Sequence, residues 1–146
     1  MQVACVSNSV ALLAEPDRAL RHLMHGALTA AGYEVFESSN AAQVEVALRV
    51  RAVYRAKNLL CVLASRLAAD CAQGIAAATL ERAQWRLPEA QLILTCEFGT
   101  LPMAPDIAGC LVRGVLEKPF DLYELQALAF ECRDFLCESG ANDTSS

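Results

Sequence analysis

"GVLEKPFDLYEL", residues 114–125, is the stretch that decides the fold. A short apolar strand, GVLE, runs into Lys118, then Pro119, then a helix that opens with Asp121 as its N-cap or first-turn acid. Lysine followed by proline is a poor choice for routine packing. The ammonium needs a counter-charge or water, and the proline removes a backbone donor. Lys118 therefore asks for a partner elsewhere in the chain.

Working outward, the helix continues as "DLYELQALAFECRDFL" and gives way to the polar "ESGANDTSS". That change divides the chain into one domain over 1–137 and a flexible tail over 138–146. On the amino side, strand and helix alternate. "SVALLAE" reads as a first strand. "DRALRHLMHGALTAAG" has apolar residues at helical spacing, with Gly32 as a stop. "YEVFES" is a second strand. Asn40 caps a long helix through "AAQVEVALRVRAVYRAK", with Gln43 at the capping-box position. "LLCVLAS" is a continuous apolar third strand, "QGIAAATLERAQWRL" a helix ended by Pro88, and "QLILT" a fourth strand. The next crossover, "CEFGTLPMAPDIAG", holds two prolines and two glycines, which argue for an irregular or shortened helix.

Five strands alternating with helices predict an α/β fold: a doubly wound parallel sheet in the flavodoxin-like order 2-1-3-4-5. The working crevice of such a fold lies at the carboxyl ends of the strands. That rule selects Glu15 and Asp17 after strand one, Ala64 and Ser65 after strand three, Thr95 after strand four and Lys118 after strand five.

Composition bounds the function. The 55% hydrophobic fraction contains no run near the roughly 20 residues that span a bilayer. No signal peptide is read at "MQVACVSNSV", and a cytoplasmic protein is expected. A net charge of −5 argues against a nucleic-acid binder. The seven cysteines include no CxxC and read as buried reduced thiols. His22 and His25 lack a third ligand, so no metal site is expected.

Taken together, "ALLAEPDRALRHLMHGALTAAGYEVFESSNAAQVEVAL", "LILT" and "GVLEKPFDLYEL" resemble a response-regulator receiver domain of two-component signalling, over about residues 9 to 137. In that family the strand-five lysine reaches over the crevice to a phosphorylated aspartate. The strand-four Thr follows the phosphoryl group, and an acidic pair after strand one holds magnesium. The resemblance assigns these roles to Lys118, Thr95 and Glu15.

The departures are as informative. Pro16 stands where the second acid is usual, and Asp17 is one place late, so no magnesium cofactor is expected. Strand three ends without an aspartate; Leu63, Ala64, Ser65 or Arg66 takes the acceptor's place. Asp70, in the loop that follows, is a displaced alternative. Val115 replaces an aromatic switch residue. The chain thus reads as a degenerate, stand-alone pseudo-receiver, not an enzyme, that signals through protein contact. The alternatives are a ligand- or nucleotide-binding sensor or enzyme, and a phosphorylatable receiver using Asp70.

Two faces are left over. Arg18, Arg21, His22 and His25 share one side of helix one, opposite Leu20, Leu23 and Met24. That side is expected to dock a histidine kinase, a phosphotransfer protein or another response regulator. The long second helix carries apolar Leu48, Val50, Val53 and Tyr54 on more than one side, with Arg49, Arg51 and Arg55 keeping it soluble. It is expected either to tuck over the sheet edge or to form an interface, a homodimer included.

Overall fold

The computed structural model describes residues 9–99 and 110–145, with side chains through 133. Five parallel strands, β1 (Ser9–Ala14), β2 (Glu34–Ser38), β3 (Asn58–Ala64), β4 (Gln91–Cys96) and β5 (Leu111–Glu117), form one sheet in the order β2-β1-β3-β4-β5. This is the predicted order.

Helices cover both faces, and strand alternation decides which residues meet which layer. Val10, Leu12, Cys61, Leu63, Leu92 and Leu94 face a core built with α2 (Ala41–Leu48), α3 (Arg51–Tyr54) and α4 (Ser65–Gln84). Ala11, Leu13, Leu60, Val62, Ile93 and Leu116 face a second core with α1 (Arg18–Ala30) and α5 (Leu122–Ser145). The three central strands are apolar on both faces because both are covered.

The predicted start and stop signals are mostly where the chain needs them. Asp17 caps α1, its side chain accepting the Leu20 N–H at 3.1 Å. Gly32 takes φ 99°, so the chain can turn out of α1 and return Tyr33 to hydrogen-bond Leu28. Asn40 caps α2 through the Gln43 N–H. The Gln43 side chain reaches back one residue further than a capping box requires, to the Ser39 N–H at 2.6 Å.

Three expectations are corrected. The long second helix is two: α2 ends at Leu48, and Val50 is extended before α3 begins. The break buries Val53 as well as Leu48. The fourth helix starts at Ser65, not at Gln73. Its buried Ala68, Cys71, Ile75, Ala78 and Arg82 repeat at steps of three and four, so one helical face runs through the stretch read as a loop. β5 begins three residues before Gly114. Arg113 is the extra residue of a bulge opposite Leu92 and Ile93.

α5 is helical through Ser145, past residue 137, where the sequence reads as a tail. The expectation of an irregular fourth crossover falls mainly on residues 100–109, outside the described residues.

Cys61, Cys71, Cys96 and Cys132 are buried free thiols. Burial pushes Cys61 up to about 12, and Cys71 and Cys132 to about 11. Such thiols stay protonated at neutral pH and pack as small hydrophobes.

Candidate functional site: the carboxyl-end crevice

Alternation along each strand places four predicted positions on the same side of the sheet. Glu15 follows Leu13 by two, Ala64 follows Val62, Thr95 follows Ile93 and Lys118 follows Leu116, all on the side covered by α1 and α5. Register then brings three of them level and sets Lys118 two residues further along: Ala64 pairs with Thr95, and Thr95 with Leu116, while Ala14 pairs with Leu63 one step earlier.

Glu15 is fully buried. One carboxylate oxygen accepts the Asp17 N–H at 2.9 Å. The other lies 2.9 Å from Lys118 Nζ. No aligned hydrogen-bond donor reaches that second oxygen among the described residues, so the contact with lysine is held mainly by charge. Lys118 also donates to Glu97 Oε2 at 3.2 Å, and its own N–H donates to the Cys96 carbonyl at 2.8 Å. The Lys118-Pro119 peptide is cis. Burial alone would lower the ammonium's pKa; contact with Glu15, and then with Glu97, outweighs it and raises the pKa above the ordinary lysine value.

This answers the question raised by residues 114–125. The partner of Lys118 is Glu15, as the crevice geometry suggests. Asp17 does not join them, because its side chain is committed to the α1 cap. The second partner, Glu97, lies just beyond β4 and carries no motif signal in the sequence.

The remaining predicted crevice positions make no hydrogen bond to the Glu15–Lys118 pair among the described residues. Ala64 ends β3 and Ser65 opens α4, so the strand passes into helix with no intervening loop. The hydroxyl of Thr95 is buried, with no hydrogen-bond partner among the described residues. Asp70 is exposed in the second turn of α4, not in a crevice loop.

The helix-one stripe also divides. The Arg21 guanidinium donates to the Glu15 carbonyl at 2.8 Å and pairs with Glu37 at 3.2 Å. His25 contacts the other Glu37 oxygen. These two side chains tie α1 to β2 and to the crevice loop. Arg18 and His22, on the neighbouring line, border a surface depression with Ala19 and Leu23. Leu23, expected on the buried side, is 53% exposed. An adjoining depression continues from Leu23 to Phe120 and Tyr123, the latter 77% exposed. A third lies over Lys118 between Leu20, Phe98 and Phe120. Sequence periodicity missed this apolar strip, because its residues come from α1, the loop after β4, the loop into α5 and the start of α5.

No protein-family model matches the chain, and no curated protein matches it. Solved structures do. A signal receiver domain of an HD domain-containing protein from Pseudomonas fluorescens superposes with a TM-score of 0.65 at 18% identity, covering 90% of this chain and 98% of that one. A CheY-like response regulator receiver domain protein from Methanospirillum hungatei gives 0.63 at 14% identity, covering 90% and 98%. A response regulator receiver protein from Sinorhizobium medicae gives 0.59 at 20% identity, again covering 90% and 98%. The chain has the fold of the receiver domains. Among the described residues no helix is long and apolar enough to cross a membrane.

Proposed function

We propose that the chain is a degenerate receiver of two-component signalling, cytoplasmic, that acts through protein contact and not through its own phosphorylation. One observation carries the reading: Ala64 occupies the end of β3, level with Thr95 and on the same side of the sheet as Glu15 and Lys118. A methyl group there cannot form an acyl phosphate. The surrounding groups support the same conclusion. Glu15 is taken up by Lys118 and the Asp17 N–H, and Pro16 offers no carboxylate to a divalent ion. Asp70, set on the exposed part of a helix, has none of these groups bonded to it among the described residues.

Acetyl phosphate, or beryllofluoride, with magnesium is expected to give no adduct by intact mass and no change in amide spectra. A stoichiometric acyl-type phosphoprotein overturns the proposal, and its mapping to Asp70 identifies the displaced-acceptor alternative.

The docking surface under this proposal is Arg18, His22 and Leu23 with Phe120 and Tyr123. Its partner is a histidine kinase, a phosphotransfer protein or another response regulator, with no nucleic acid or membrane involved. Arg18→Glu with Tyr123→Ala is expected to weaken capture of such a partner at least tenfold, with a stability change within about 0.5 kcal/mol. Arg21→Glu serves as the contrast. It loses the Glu15 and Glu37 contacts and is expected to lower the unfolding midpoint. Equal partner binding by wild type and the Arg18/Tyr123 double variant excludes this face.

A further inference from the structure

A parallel sheet sorts charge along its strands. A segment that leads into a strand lies at the sheet's amino edge, and one that leaves a strand lies at its carboxyl edge. α2 and α3 deliver Arg49, Arg51, Arg55 and Lys57 to the amino edge, and the loop from α4 into β4 delivers Arg86. With Arg82 they make six of the chain's twelve lysines and arginines.

The patch is held rigid. Arg82 is wholly buried and hydrogen-bonds the carbonyls of Tyr54, Ala56 and Pro88, which joins the two cationic loops. The Arg55 guanidinium sits 3.8 Å over the Trp85 ring. Glu34, which opens β2, lies at the same edge, and Glu45, Glu81 and Glu89 stand nearby. Glu81 accepts the Trp85 indole N–H, and the Glu45 carboxylate lies against Gly74. None of the five surface cations forms an ion pair among the described residues.

The carboxyl edge is the reverse. Glu15, Asp17, Glu37, Glu97, Glu117, Asp121 and Glu124 gather there, against Arg18, Arg21, Arg66 and Lys118. Strands of six or seven residues separate the two edges by about 20 Å. Among the described residues, charge is therefore separated along the strand axis.

We propose that the chain associates head to tail with a second copy, the amino-edge cations of one protomer meeting the carboxyl-edge carboxylates of the next. Such a contact joins two different patches, so it builds a ring or an open chain of protomers. A nucleic acid is the poorer occupant: beyond the patch an extended polyanion meets a body whose net charge is negative. The association uses no phosphoryl chemistry and stands apart from the function proposed above.

The test is sedimentation velocity of the full chain in about 20 mM and about 500 mM salt, where the screening length falls from about 20 to about 4 Å. At low salt the weight-average sedimentation coefficient is expected to rise with protein concentration; at high salt the rise is lost. Trp85, the single tryptophan and 51% exposed, is expected to shift its emission to shorter wavelength in step. Arg51→Glu with Lys57→Glu makes the amino edge acidic. Glu117→Lys with Glu124→Lys makes the carboxyl edge basic. Each variant alone is expected to be monomeric at low salt, with far-UV circular dichroism like the wild type, and an equimolar mixture is expected to associate again. Both variants remain net negative, so overall attraction does not account for that rescue. A wild type that is monomeric at every salt, an association unmoved by either pair of reversals, or a mixture of folded variants that stays monomeric overturns the proposal.

Discussion

Arg82→Met is expected to lower the unfolding free energy by on the order of 4 kcal/mol, the largest effect of any single substitution considered. The guanidinium is completely buried and has no carboxylate partner among the described residues. It works as a fork between two loops. Nε and one terminal nitrogen donate to the Pro88 carbonyl at 3.1 and 2.9 Å, and the other terminal nitrogen donates to Ala56 at 2.6 Å and to Tyr54 at 3.2 Å. Methionine fills much of the volume but leaves those carbonyls without donors, and each buried one costs about 1–3 kcal/mol where water does not reach it. Burial pulls the arginine's pKa down to about 10, so it stays charged at neutral pH.

Urea unfolding measures the loss, as a lower midpoint at unchanged slope. Arg82→Lys is expected to recover only part of it, since one ammonium cannot span the same carbonyls. Arg51→Ala, at an exposed site, is expected to stay within about 0.5 kcal/mol of wild type. A loss below about 1 kcal/mol for Arg82→Met would mean that water replaces the fork.

The second large effect is at the crevice. Lys118→Met removes the cation that faces Glu15 and leaves a fully buried carboxylate with only the Asp17 N–H. Breaking a fully buried pair costs about 3–5 kcal/mol; Lys118 keeps some solvent contact, so about 2–3 kcal/mol is expected at pH 7. The pH dependence follows from the raised pKa of Lys118. A base stabilised in the folded state contributes fully below its unfolded pKa, and the contribution disappears as pH rises through the higher folded value. The stability gap between wild type and Lys118→Met is therefore expected to hold from pH 7 to about 10 and to close above the ordinary lysine value of 10.5. A gap that is already closed at pH 9 would show that the ammonium adds little to the folded state.

The two residues differ in how far the sequence exposes them. Lys118 stands out because lysine before proline at a strand end is locally unusual, and strand order puts Glu15 and Asp17 among the groups near it; the structure selects Glu15. Arg82 gives no such signal. It sits in "LERAQWRL" among ordinary helix surface residues, yet its position on the periodic face of α4 buries it. Its hydrogen bonds reach carbonyls 28, 26 and 6 residues away, a juxtaposition no local pattern encodes.

The sequence by itself determined the layers, the strand order and the identity of the crevice. Continuous apolar runs specify strands covered on both faces, caps and glycine set most helix ends, and parallel crossovers bring the carboxyl ends together. Only the tertiary structure decided which residue stands level with Thr95, because register places Ala64 there, not Ser65 or Asp70. It also separated Arg21 and His25 from Arg18 and His22, split the second helix at Val50 and supplied Glu97 as a second partner for Lys118. The physical reason is common to all four. Periodicity reports which side of an element is apolar, whereas side-chain partners and strand register are set by the distance between elements, and that exists only after the layers have packed.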